Sequence, residues 1–143
     1  MNVLIDTNVI LDYLLKRWPH EKEASRILLM SEKTLIDAYI SASAATDIFY
    51  IVKKDFQDKA KTYAVMHVLF SMVKIAAVDD VVIRDSLALE WNDFEDCVQY
   101  VAAKDFQADY IITRDTDGFR NSTIKAVSPD DFVAMIDTDV WNT

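Results

Sequence analysis

The 143-residue sequence contains one glycine, one cysteine, two prolines and two histidines. The lone Gly118 cannot build a glycine-rich phosphate loop, because the dinucleotide fingerprint and the P-loop both need more than one glycine. The lone Cys97 excludes an intramolecular disulfide framework and any cysteine-rich zinc or iron–sulfur site. His20 and His67 lie far apart, which argues against a histidine-based metal cluster. Basic residues are also scarce, with 15 Lys and Arg against 24 Asp and Glu, for a formal net charge of -9. No apolar run approaches the ~18 residues of a membrane-spanning helix. The opening Met1-Asn2-Val3-Leu4-Ile5-Asp6 carries no positive leader. With the single thiol, this points to the cytoplasm.

What the sequence has in excess is carboxylate, beside a hydrophobic fraction of 52% that can build one domain core. Short apolar runs alternate with helical patterns along the chain. Val3–Ile5, Ala38–Ile40, Val73–Val78, Tyr110–Thr113 and Ile124–Val127 read as strands. Between them, helices are expected from a Thr7 or Asn8 cap through Leu15, ended by Pro19, and over Glu21–Met30. Further helices are expected from a Ser41 or Ser43 cap to Val52, from Asp55 to about Met72, and from an Asp79-Asp80 cap to Leu89. Asp93 opens another through Ala102, and Pro129 begins the last, to Ile136. Residues 137–143 read as a frayed tail. No linker or internal repeat divides the chain, so the expectation is one α/β domain over residues 1–143. Its architecture would be a three-layer sandwich, a mainly parallel sheet of four or five strands flanked by helices.

In such sheets, sites form beyond the carboxyl ends of the strands. Asp6 follows the first strand and Asp115 follows the strand ending at Thr113. Asp47 and Asp96 fall in the early turns of helices, on the same side if the crossovers are the usual ones. Facing carboxylates repel one another unless a cation sits between them. Mg²⁺ or Mn²⁺ suits an all-oxygen set. Taken singly, each residue also has a structural reading. Asp93 and Asp96 resemble an N-cap and an acidic first turn, and Asp115 and Asp117 resemble turn residues before Gly118. Asp47 sits among Ile48, Phe49, Ile51 and Val52, so a buried helix with an ionised side chain in want of a partner is expected there.

The segment Leu4-Ile5-Asp6-Thr7-Asn8-Val9-Ile10-Leu11-Asp12 resembles the opening of a PIN domain, the nuclease fold of VapC-type toxins. Asp93-Phe94-Glu95-Asp96-Cys97-Val98-Gln99-Tyr100 resembles its central acidic helix, and Ala108 to Asp115 its late strand and following acid. Ser41 to Tyr50 supplies the remaining acidic position. The motifs stand in the family's order from Asn2 to about Ile136. The resemblance implies a Mg²⁺- or Mn²⁺-dependent ribonuclease whose acids are Asp6, Asp47, Asp96 and Asp115, with Thr113 as a supporting hydroxyl and 5′-phosphate and 3′-hydroxyl products. It also implies an RNA substrate, a small antitoxin partner and a homodimer. Two positions depart from the family pattern: Asp47 stands where many members have Glu, and Asp115 where many have Asn. Those members carry Asp where this chain has Gly118, which makes Asp117 the alternative to Asp115. Asp93 and Asp12 are assigned secondary roles, as a helix cap and as a surface or supporting residue.

The net charge of -9 disfavours a long, sequence-independent RNA footprint, because nucleic-acid affinity comes largely from phosphate neutralisation. It favours a small, shape-defined RNA site or a low intrinsic affinity, and suits a basic partner segment. Lys16, Arg17, Lys53, Lys54, Arg114 and Arg120 are candidates to line the cleft, or are solvated helix ends and loops. The apolar stretch Tyr63 to Val73 reads as core before interface, and Trp18 and Trp91 as core plugs before RNA-stacking platforms. Phosphotransfer folds fit less well. A haloacid-dehalogenase phosphatase needs a second Asp where Asn8 stands, and a response-regulator receiver needs paired acids after strand one and a Lys after the last strand. The remaining alternative is a catalytically silent module of the same fold that binds metal and a protein or RNA partner.

Overall fold

Val3, Leu4 and Ile5 are fully buried, which identifies β1 (Asn2–Ile5) as an interior strand covered on both faces. A computed structural model describes the backbone of residues 1–140 and the side chains of residues 1–136. β1 pairs in parallel with β2 (Asp37–Ser41) on one side and with β4 (Tyr110–Ile112) on the other. β3 (Lys74–Ala76) and β5 (Lys125–Val127) extend the sheet outward, in the order β3-β2-β1-β4-β5, all parallel.

Successive strand side chains point to opposite faces, and the core divides accordingly. Val3, Ile5, Ala38, Ile40 and Ile112 pack into one cluster with the helices α1 (Thr7–Leu14), α2 (Glu21–Glu32), α3 (Ala42–Phe56), α4 (Lys59–Met72) and α7 (Pro129–Val140). Leu4, Ile111 and Ala76 pack into the other, with Val82 of α5 (Asp80–Leu89), Cys97, Val98 and Tyr100 to Ala103 of α6 (Phe94–Asp105), and Phe119 of a 3₁₀ turn, Thr116–Phe119. This is the three-layer, parallel α/β sandwich expected from the strand and helix pattern.

Several local expectations are revised. α3 runs to Phe56, four residues beyond Val52, and ends on Gln57 in the left-handed region (φ 51°). Asp55 therefore lies in the last turn of α3, and Asp58 caps α4 by accepting from the Lys61 amide at 3.0 Å. α1 begins at Thr7, with Asp6 rather than Thr7 or Asn8 at the cap position, and the Asp6 side chain makes no capping bond. Trp18 is 90% exposed and so is not a core plug. In Tyr63 to Val73, Met66, Leu69 and Val73 are buried while Tyr63 and Val68 are exposed, so the stretch supplies one core stripe and one open face. α7 continues to Val140 where a frayed tail is expected, and the tail's last residues, 141–143, lie outside the described residues. Among the described residues, no helix is long and apolar enough to cross a membrane.

Candidate functional site

The strand order reverses direction between β1 and β4, whose crossovers run to opposite sides. In a parallel sheet, this opens a crevice at the carboxyl ends of those two strands. Asp6 leaves β1 directly into that crevice, and Thr113 and Asp115 leave β4 beside it. α3 brings Asp47 and α6 brings Asp93, Glu95 and Asp96 to the same place. All of these carboxylates line one open pocket of about 530 Å³, together with Thr7, Asn8, Leu11, Tyr50 and Ile51. The four acids named from the sequence thus share one cavity, despite coming from four distant segments.

Asp6 is the most firmly held of them. It is 5% exposed, and both of its carboxylate oxygens accept hydrogen bonds from buried side chains. Gln99 Nε2 donates to Oδ1 at 3.0 Å and Thr113 Oγ1 donates to Oδ2 at 2.8 Å. The Asp115 amide in turn donates to Thr113 Oγ1 at 3.0 Å, so one hydroxyl ties β1 to the loop after β4. Replacing Thr113 by Val removes both links at constant shape. That change is expected to destabilise the fold by about 1–3 kcal/mol, the cost of an unpaired buried polar group. Thermal denaturation measures it.

Gly118 lies against two of the other acids. A Cβ there would stand 2.7 Å from Asp96 Oδ2 and 2.9 Å from Asp115 Oδ2, so any side chain would displace one carboxylate or the other. Gly118→Ala is expected to leave the far-ultraviolet circular dichroism unchanged while weakening divalent-cation binding about tenfold or more, as read by titration calorimetry. Asp115 holds the turn itself, accepting from the Gly118 amide at 3.2 Å.

Negative charge crowds this pocket. The Asp96 carboxyl is pushed up to about 7, first by burial and then by the charges of Asp6, Asp93, Asp115 and Glu95. Glu95 is raised in the same direction, by burial first and then chiefly by Asp47 and Asp93. Among the described residues, no Lys or Arg lines the pocket. The donor set is all oxygen, which fits Mg²⁺ or Mn²⁺. Thr7 Oγ1, buried at the pocket wall, has no hydrogen-bond partner among the described residues. Among the described residues, no three of the His, Cys, Asp or Glu side chains stand close enough together to form a group that could hold a metal ion.

Other expectations fall outside the pocket or change character. Asp93 caps α6, accepting from the Asp96 amide at 2.9 Å, while also lining the pocket. Asp117 lines a neighbouring cavity and not this one, whereas Asp115 lines both. Asp47 is exposed rather than buried, because α3 turns Ala44, Ile48 and Val52 inward and leaves Asp47, Tyr50 and Ile51 on the open side. Asp12 is 1% exposed and belongs to the interior, where the Arg114 guanidinium approaches it at 2.7 Å and Arg17 at 3.9 Å. Of the six cleft cations considered, Lys16 lines a separate apolar groove and Arg120 lines the neighbouring cavity.

Gln99 and Glu95 were not singled out from the sequence. A detectable signal for Gln99 is its place between Val98 and Tyr100, one turn past Asp96, on a helix otherwise apolar at those positions. An amide there must find a buried partner.

A family model described as a PIN domain matches residues 2–117. No curated protein matches the chain significantly. Among solved structures, a toxin–antitoxin complex from Klebsiella pneumoniae is similar with a TM-score of 0.66 at 22% identity, over 89% of this chain and 97% of that one. VapBC2 from Rickettsia felis, bound to a DNA fragment from its promoter, gives 0.66 at 14% identity, over 90% and 98%. VapC20 from Mycobacterium tuberculosis, a sarcin–ricin loop cleaving toxin, gives 0.60 at 10% identity, over 76% and 86%. These structural likenesses concern the fold. The family follows from the sequence match, which begins in β1 and reaches the 3₁₀ turn beyond Asp115: the chain belongs to the PIN domain family.

Proposed function

We propose that this protein is a Mg²⁺- or Mn²⁺-dependent endoribonuclease, the toxin of a toxin–antitoxin pair acting in the cytoplasm. The observation that carries the reading is the convergence of Asp6, Asp47, Asp96 and Asp115 on one pocket without a cation among the described lining residues. Asp6, Asp96, Asp115 and Asp47 would hold the metal, with Thr113 and Asp93 in support and Asp117 as the alternative to Asp115. When bound, the ion supplies charge neutralisation at the phosphate and a water of lowered pKa.

The chain's own part is positioning. Gln99 and Thr113 fix both oxygens of Asp6, so that carboxylate needs no reorganisation to act as a ligand. Thr113 also fixes the amide of Asp115, which holds the loop after β4 beside Asp6. The missing side chain at Gly118 leaves room for Asp96 Oδ2 and Asp115 Oδ2 at the spot where a Cβ would meet both of them. The open pocket admits a phosphodiester backbone, with Tyr50 and Ile51 forming its apolar wall.

The partner reading is supported by charge and by exposed apolar surface. A chain of net charge -9 attracts a basic antitoxin segment, and Val81 and Leu87 on α5 offer apolar area for a second copy of the chain. The test is incubation of the purified protein with total cellular RNA in Mg²⁺ or Mn²⁺, with and without chelator. Cleavage is expected only with metal, and Asp6→Asn is expected to lower it by about a thousandfold or more. Undiminished cleavage by Asp6→Asn would overturn the assignment. Metal binding without turnover on any RNA would instead support a silent binding module.

A further inference from the structure

Beside the acidic pocket lies a second cavity of about 240 Å³, and the two share Asp93 and Asp115 as a common wall. Its other lining is of a different character, with Trp91, Asp117, Arg120 and Asn121 around it. Trp91 is held firmly. Its ring stacks on Tyr100 at 4.9 Å with an interplanar angle of 16°, and meets Phe119 edge-on at 6.3 Å. Tyr100 is fixed in turn through its hydroxyl, 2.9 Å from Thr123 Oγ1.

The polar groups are equally well placed. Asp117 and Arg120 project from a single turn, closed by the Arg120 amide donating to the Asp117 carbonyl at 3.2 Å and anchored by buried Phe119. Among the described residues, no ion pair engages the Arg120 guanidinium. The cavity therefore combines a rigid aromatic wall, a carboxylate acceptor, a guanidinium donor and an amide that does both. A phosphate would be repelled by three carboxylates, but a neutral, planar group rich in hydrogen-bonding edges would not. Nucleobases have that character, and every base has a face that stacks on an indole. Guanine alone presents two adjacent N–H donors, for a carboxylate, together with the O6 and N7 acceptors that arginine reads.

We infer that this cavity binds the base of an unpaired guanine nucleotide flanking the phosphate held in the acidic pocket. The inference rests on the ribonuclease reading and adds the substrate feature that the enzyme selects. It also accounts for how a chain of net charge -9 recognises RNA, through one base rather than a long basic track.

The experiment uses full-length protein carrying Asp96→Asn, which keeps the RNA intact, with Trp18→Phe and Trp141→Phe so that Trp91 is the only indole. The probes are the tetranucleotide RNA UUUU and its variants with G, A or C at each position in turn. Quenching of Trp91 fluorescence is expected to show about tenfold tighter binding for G at one position. Arg120→Ala, and separately Asn121→Ala, is expected to reduce that G-to-U preference at least threefold, both being exposed positions that do not threaten the fold. Absence of quenching, equal affinity for all four bases, or a preference unchanged in both variants would overturn the inference. The outcome is separable from the nuclease assignment. Base-selective quenching without cleavage by the parent protein would sink the nuclease reading alone, and cleavage without base-selective quenching would sink this inference alone.

Discussion

Asp96→Asn is expected to abolish metal-dependent RNA cleavage and, at the same time, to make the metal-free protein more stable. Both effects come from one cause. In the folded chain the Asp96 carboxyl is pushed up to about 7 by burial and by the surrounding carboxylates, whereas an unfolded chain ionises near the ordinary aspartate value of about 4. Between those values the native state binds the proton more tightly than the unfolded state. Stability therefore falls as the pH rises through that window and levels off above it. Glu95, raised in the same direction, adds to the slope.

In the variant, the side chain at position 96 carries no charge at any pH. The gap in melting temperature between variant and wild type is thus expected to widen from about pH 4 to about pH 7 and then stay constant, reaching about 2–5 °C at pH 8. Asp96 is only half buried, and solvent screening keeps the gap to this size. Adding Mg²⁺ is expected to raise the wild-type melting temperature at pH 8 and to move the variant little. Differential scanning fluorimetry across pH reads all of this. A variant less stable than wild type at pH 8 would contradict the account of crowded charge.

Arg114→Met is expected to be the most destabilising single substitution near the site. Asp12 is 1% exposed, and its closest cation is Arg114 Nε at 2.7 Å, with a second Arg114 nitrogen at 3.3 Å from its other oxygen. Arg17 lies farther off at 3.9 Å. Removing one partner of a buried pair leaves the other charge uncompensated, at a cost of about 3–5 kcal/mol. Arg114 is one-third exposed, so a loss of about 2–4 kcal/mol is expected after allowing for solvent. The double variant Asp12→Leu with Arg114→Met should recover most of it, because no unpaired charge then remains. Denaturant unfolding of the two variants makes the comparison. Equal stability of the single and double variants would show that Arg17 alone satisfies Asp12.

Much of the architecture is legible in the chain because burial on two faces leaves a plain mark. Val3-Leu4-Ile5 and Tyr110-Ile111-Ile112 are continuous apolar runs that only interior strands of a parallel sheet require. The pocket carboxylates are legible for a related reason: each follows a strand or lies at the cap or in the early turns of a helix, on the side where the sheet places its crevice. Asp58 rather than Asp55 begins α4, because a left-handed Gln57 ends α3 late and local pattern does not reveal where a helix will find that turn. Asp47 faces outward because α3 buries only its Ala44–Ile48–Val52 stripe, and the neighbouring Tyr50 and Ile51 border the pocket instead of the core. Gln99 is hidden by distance. Its apolar neighbours Val98 and Tyr100 signal a buried amide, but its partner Asp6 lies 93 residues away in the sequence and local pattern cannot name it.

The placement of β1 in the middle of the sheet has a consequence for when the protein becomes competent. Strand β1 finds one of its two neighbours, β4, only after more than a hundred residues have followed it, and the hydrogen bond from Thr113 to Asp6 spans 107 positions. Contacts of such long range form slowly and late in folding. A nascent or truncated chain therefore carries Asp6 without the hydroxyl that orients it and without the Asp115 loop. If the proposed site is the active one, activity is expected to appear only near the completion of folding, after β4 has paired with β1.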